Sequence, residues 1–567
     1  MKKTSKLLSI LLVVMLLSGC LFGCADTSVE QDEPEQTATE APVNESDAPV
    51  EPSDEADPTE EPVVEADYLD KVVTVGQIST WGLLCPFAVT DSYSQFIYDV
   101  LYEKLVFVNG DYTISPRAAD SWEMNEDSTV WTFHLNQDAK WHDGTPLTAH
   151  DWVFAAQTIT DPNFVSGRKS MYANFEGTDA DGNETSENSV AWVAVDDFTL
   201  QVTLKATAEI TAFFIANNNG IYPLPKHLLE GIDTATLLED SYWTNPVGCG
   251  VGIFDSQVEG STITFKTNQE YYRGAPKFGT LVFRVVAQDS MAAAFMAGEL
   301  DLCFSGLNYE DAAAAALQPN VNEGYTELAY ALCWMNINID KLNDVKLRQA
   351  VRYCINQEAI SQVLFGGQGV ISASPTLQVG DYYTDSIEYA SEYNPEKAKA
   401  LFDEAGWDYN ETFIIGAPSG TREDAATIIA QSLESIGIKV EIQVNDATTT
   451  FANAKEGKYH VSLQSTSAWT NDPLTTRASM NTYIHTYGTS DVGTELNGIL
   501  DQMSMELDLE KRAELARQWL VRCIELCPIA PVYRTRQYML TSARVTGWSP
   551  DNQAVGFNNN WHDLIVD

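Results

Sequence analysis

Helix and strand signatures alternate along this chain from about residue 70 to its end, and that alternation limits its fold more than any other feature. "LVFRVVAQDSMAAAFMAGELDLCF", from Leu281, reads strand, helix, strand, with Gly298 closing the helix. "REDAATIIAQSLESIGIKVEIQ", from Arg422, reads helix, glycine turn, strand. "ELARQWLVRCIELCPIAPVYR", from Glu514, reads helix then strand. "DVKLRQAVRYCINQEAISQVLF" places Leu347, Val351, Cys354 and Ile355 on one side of a long amphipathic helix. Such a chain builds α/β lobes with mixed sheets. At 567 residues it exceeds what one core can hold, so two or three lobes are expected.

The first residues follow a different rule. "MKKTSKLLSILLVVMLLSGC" carries Lys2, Lys3 and Lys6 and then an apolar run from Leu7 to Leu17, too short for a comfortable membrane span. It ends in Leu17-Ser18-Gly19-Cys20, which resembles a bacterial lipobox whose cysteine becomes the lipidated first residue; Cys24 is a poorer second candidate. This predicts a signal segment over 1–20 and a lipid anchor at Cys20. Residues 21–67 form a linker, and its stretch from Ala25 to Asp67 has no Lys or Arg and 16 acidic residues. That composition cannot bury enough surface to offset its ordering entropy, and self-repulsion extends it.

Removing those 16 from the chain's 81 acids, and the three early lysines from its 33 bases, leaves the body 65 acids against 30 bases. A surface so acidic repels phosphate backbones, which argues against nucleic acid as a partner. The body's seven cysteines (85, 249, 303, 333, 354, 523 and 527) are odd in number and scattered, which argues against a disulfide framework. Its seven histidines form no His-x-x-x-His pair, and no Gly-x-Ser-x-Gly or His-Glu-x-x-His run is present. A secreted, lipid-anchored hydrolase is therefore a remote reading, and no metal, cofactor or catalytic residue is assigned.

One stretch tempts a catalytic reading. "WHDGTPLTAHDWVF", Trp141–Phe154, sets His142 beside Asp143 and His150 beside Asp151. Yet Asp143-Gly144 is a turn pair, and Thr148 with Asp151 three residues on is a helix start.

The same stretch carries a resemblance. Pro116, Ala119, Trp122, Asp127, Phe133, Leu135, Trp141, His142, Asp143, Gly144, Pro146, Ala149 and Asp151 follow the signature of the peptide/nickel-binding family of extracytoplasmic solute-binding proteins of ABC transporters, solute-binding protein family 5. "VDDFTLQVTL", "QEYYRGAPKFGTLVFRVV", "AGELDL", "MNINIDKLNDVKLRQAVRYCIN", "YNPEKAKALFDEAGW" and "SIGIKVEI" match in order, so the likeness spans nearly all of Tyr68–Asp567. One departure is "GCGVGIF", Gly248–Phe254, where the family usually has Gly-Thr-Gly-Pro-Tyr, and it puts the local strand geometry in question.

The resemblance implies a two-lobed, class II clam-shell fold of the periplasmic-binding-protein type, with mixed sheets and an extra subdomain over roughly 105–220. The first lobe would take 68–327, the second 328–533, and 534–567 would return to the first. It implies an extracytoplasmic monomer that closes on a solute and delivers it to a permease driven by an ATPase; with the anchor at Cys20 it would sit on the outer face of the cell membrane, or else be periplasmic. A role in presenting ligand to a receptor reads the same way in sequence. An oligopeptide or dipeptide is the first expectation for the ligand; an oligosaccharide or a nickel chelate is the alternative. By position, Asp472 in "SAWTNDPLTTRASM" would pair with a peptide ammonium and Trp469 would wall a pocket. Arg477 and Arg422 are the candidates for a ligand carboxylate, because a guanidinium matches that group's geometry. Trp81, Trp334 and Asn336 lie in segments that face the cleft in the family, and core packing is their other reading.

Overall fold

The alternating run "VVTVGQ" becomes β1 (Val72–Gln77), with Val73 and Val75 fully buried, and it lies at the middle of a seven-stranded sheet. The computed structural model describes residues 67–567 except 89–90, 110–112, 186–188, 207–213, 215–220, 304–306, 308, 326–330, 379, 467–471, 537 and 548–559. The signal segment, Cys20, nearly all of the linker, and Trp469 thus lie outside the described residues. None of the described helices is long and apolar enough to cross a membrane.

After β1 come α1 (Ser92–Leu101), the two-stranded β2 (Val106–Val108) and β3 (Ile114–Pro116), and an inserted four-stranded antiparallel sheet. That sheet holds β4 (Ala119–Met124), β5 (Val130–Leu135), β6 (Trp192–Asp196) and β7 (Thr199–Thr203) in the order β4-β5-β7-β6. The apolar face of β5, Trp131, Phe133 and Leu135, is buried as its alternation predicts. α2 (Ala149–Thr160) starts at Thr148 with a capping box closed by Asp151.

The chain then returns to the large sheet with β8 (Gly252–Val258), β9 (Thr262–Thr267), β10 (Thr280–Val285) and β11 (Leu302–Cys303). The unusual "GCGVGIF" segment still enters a regular strand, β8, which pairs with β9 through one bulge between Phe254 and Ser256. α3 (Tyr309–Ala316) leads to β12 (Val321–Tyr325), and the next described strand belongs to a second sheet.

That sheet has five strands, ordered β15-β14-β16-β13-β17. It is built from β13 (Ala331–Ile337), α4 (Val345–Tyr353), α5 (Gln357–Phe365), β14 (Thr412–Pro418), α6 (Thr421–Ser435), β15 (Lys439–Asn445), β16 (Val461–Thr466), α7 (Arg477–Tyr483), α8 (Asp491–Met505), α9 (Leu509–Leu526) and β17 (Ile529–Thr535). β13 buries both faces, Cys333, Met335 and Ile337 in one core and Leu332 and Trp334 in another. After β17 the chain re-enters the first sheet as β18 (Tyr538–Ser542), between β12 and β11. The two-lobed mixed α/β architecture follows: two sheets, each wrapped by helices, joined by two crossings of the chain.

Helix ends are satisfied across elements. At the C-terminus of α9, the carbonyl of Cys523 accepts from Cys527 N–H, that of Ile524 from Arg352 Nη1 (3.0 Å), that of Glu525 from Gln349 Nε2 (2.7 Å) and that of Leu526 from Arg348 Nε (2.8 Å). The "RQAVR" run of α4 therefore caps α9, and its cations meet the negative end of the helix dipole.

Candidate functional site

Strand direction locates the site. β14 runs parallel to β16, and β13 runs antiparallel to both β16 and β17. The carboxyl ends of β14, β16 and β17 and the start of β13 therefore share one edge, and there Ala331 pairs with Thr535. In the first sheet β1 runs parallel to β10 and β11, and β18 antiparallel to β11 and β12. The carboxyl ends of β1, β10, β11 and β12 share the edge where Tyr325 pairs with Tyr538. The chain crosses between these two edges. Ligands of α/β sheets sit in the crevice beyond the carboxyl ends of strands, so these edges form the candidate cleft.

From the second sheet the edge offers Arg422, in the first turn of α6, two residues after Gly420 turns the chain from β14 with φ +88°. Cys333 is the register partner of both Ser465 and Tyr533 on the neighbouring strands. Burial pushes the Cys333 thiol up to about 12, against the opposing pull of Ser465, Tyr533 and the Arg422 charge. Burial likewise raises the Tyr533 phenol, with Arg422 again among the groups that oppose it. The Arg422 charge thus acts on both buried groups. Arg422 is partly exposed and forms no ion pair with any described residue. From the first sheet the edge offers Trp81, just beyond β1. It is 8% exposed, with Nε1 donating to Gln257 Oε1 at 2.9 Å, so the ring is fixed in place.

Other expected contacts are redirected. Asp472 is 2% exposed: Oδ1 accepts from Leu474 N–H (2.8 Å) and Oδ2 from Arg512 Nη2 (2.7 Å), and Arg512 is itself buried. A ligand ammonium would have to displace that guanidinium, so the carboxylate serves as a cap and a buried ion pair between the segment after β16 and α9. Arg477 is held by Asp501 Oδ1 (2.8 Å) and the Asn497 carbonyl (3.0 Å) of α8, which removes it from the carboxylate role. Trp334 and Asn336 are each 3% exposed and bonded to each other, Nε1 to Oδ1 at 2.7 Å. They face the core beneath the C-terminal helices rather than the cleft edge. Sequence reasoning missed Arg512. Its signal was available: Arg512 shares a helix side with Ala516, Trp519, Leu520 and Cys523, and a cation on an apolar side needs a buried anion.

The histidine motif resolves as structure. His142 N–H donates to Gly248 O and its Nε2 lies 2.9 Å from Gly250 O, which assigns Nε2 as the protonated nitrogen. His227 Nε2 meets Asp143 Oδ2 at 2.8 Å, tying the turn to the segment after β7. Among the described residues no group of three or more His, Cys, Asp or Glu side chains is placed to hold a metal.

Comparison with known proteins places this arrangement. Residues 113–488 match the model of bacterial extracellular solute-binding proteins, family 5 (middle region). The chain is 27% identical over 486 residues to heme-binding protein A of Haemophilus influenzae, covering 80% of this chain and 84% of that one. It is 25% identical over 391 residues to the oligopeptide-binding protein AppA of Bacillus subtilis, covering 66% and 68%. The ABC transporter substrate-binding protein CtaP of Listeria monocytogenes superposes with a TM-score of 0.75 at 21% identity, over 88% of this chain and 99% of that one.

Proposed function

Because this chain belongs to family 5 of the bacterial extracellular solute-binding proteins, we propose that it captures an oligopeptide or dipeptide between its two sheets through the peptide's C-terminal carboxylate. The family works with ABC permeases outside the cytoplasm; the peptide, the anchor at Cys20, the monomeric state and the lobe divisions at 327 and 533 are our reading. Arg422 carries it. Of the two arginines nominated from sequence, only Arg422 has no carboxylate partner among the described residues, and it lies at the edge where the chain crosses between sheets. Haem and oligopeptides, the ligands named for the two relatives, also share a carboxylate. Fixation of the peptide amine is assigned to no residue, since Asp472 already holds Arg512. The proposed role is binding and hand-over, with no bond chemistry.

Calorimetric titration of the purified protein with free-acid peptides of two to eight residues, their C-terminal amides, oligosaccharides and nickel tests this. Free-acid peptides are expected to bind, and Arg422→Gln to weaken them roughly 10- to 100-fold, the worth of one charge-assisted contact. Equal binding of acid and amide, or binding only of sugar or nickel, would refute the assignment.

A further inference from the structure

Beside the second crossing lies a contact that belongs to neither core. Gly366 caps α5 in the left-handed conformation, φ +56°. A Cβ built there would lie 2.7 Å from Cζ and 2.8 Å from the hydroxyl oxygen of Tyr309. Tyr309 begins α3, which packs on β12 and β18 of the first sheet, whereas α5 packs on β17 and α6 of the second. The Tyr309 ring thus rests on bare backbone of the opposite lobe.

Its neighbours bracket the second crossing. Tyr309 packs at 5.7 Å on Tyr538, the first residue of β18. Phe365, next to Gly366, packs at 4.9 Å on Tyr533, near the end of β17. Tyr533 and Tyr538 flank the short link 536–537. The four rings and one glycine therefore form a path from the first sheet to the second around that link. Its far end, Tyr533, lies within the electrostatic reach of Arg422.

We infer that the Tyr309–Gly366 contact is a hinge latch that sets the equilibrium between lobe arrangements, and through it ligand affinity, without touching ligand. The physical reason is differential contact. Only an interaction present in one arrangement and absent in another shifts a population. In this proposal, rotation of the lobes separates Tyr309 from Gly366 and leaves the contacts inside each core in place. Glycine is required twice, for its φ and for the space the ring occupies. The inference rests on the two-lobed fold and is independent of which solute binds.

A double-mutant cycle on the full chain without ligand, read by small-angle X-ray scattering, separates those two requirements. Gly366→Ala strains the left-handed cap in any background, but it collides with the ring only when Tyr309 is present. Gly366→Ala is expected to shift the radius of gyration by on the order of 1 Å, against roughly 23 Å for a compact body of about 500 residues to which the linker adds equally in every variant. The same change in a Tyr309→Ala background is expected to leave it unmoved, a coupling that signals direct contact. Melting curves run alongside identify any loss of folding, and Tyr309→Ala, which removes atoms without strain, serves as the folded reference. An equal shift in both backgrounds, or no shift in either, overturns the latch. Failure of the peptide titration leaves this result untouched.

Discussion

His142 is held neutral by its surroundings. Burial lowers its pKa to about 4 from an ordinary 6.5, and neither the Gly250 carbonyl nor Asp143 offsets that. The unfolded chain therefore binds a proton between those values that the folded chain refuses. Stability is fully present above pH 6.5 and falls as pH drops toward 4, by roughly 3 kcal/mol at most for this one group. His142→Gln, whose amide can still donate to Gly250, is expected to flatten the slope of melting temperature against pH in that window. A slope identical to wild type would show that other groups govern it. Asp472 supplies the opposite kind of test. Asp472→Ala strands the Arg512 charge, 1% exposed, and is expected to cost about 3–5 kcal/mol in urea unfolding while the folded fraction keeps its ligand affinity. An unchanged unfolding curve with lost binding would restore the ligand role that the family resemblance implies for Asp472.

Elements in this protein end on one another. All four terminal carbonyls of α9 have partners, three of them supplied by one turn of α4, so neither helix is complete alone. Arg348 also donates through Nη1 to Leu342 O (2.9 Å) and Asn343 O (3.0 Å), binding the entry to α4 as well. Arg348→Ala is expected to cost about 2–4 kcal/mol, since a buried charged donor and three carbonyl partners are lost together. Faster amide exchange over 522–527 than over the middle of α9 would locate the damage. Uniform loosening of the whole sheet would contradict it.

At the scale of the whole molecule, much was legible and some was not, for reasons the residues supply. Alternation along β5, the Thr148–Asp151 cap and Gly298 ending its helix are local, and local patterns survive into the fold. The partner of Asp472 stands 40 positions away on α9, and nothing near Asp-Pro announces a buried guanidinium. Trp334 and Asn336 were misplaced because β13 is buried on both faces, so an aromatic and an amide there point into a core whichever way they face. Trp81 and Arg422 stand at the candidate cleft edge by strand direction, which no local pattern in the sequence carries.

The position of β18 has a consequence in time. It lies second in the seven-stranded order, between β12 and β11, yet it is made after every strand of the second sheet. Until residue 538 has left the ribosome, β11 and β12 have no strand between them, and Asp301 lacks Arg544, which grips it at 2.6 and 2.7 Å. The first sheet therefore stays unfinished through most of synthesis.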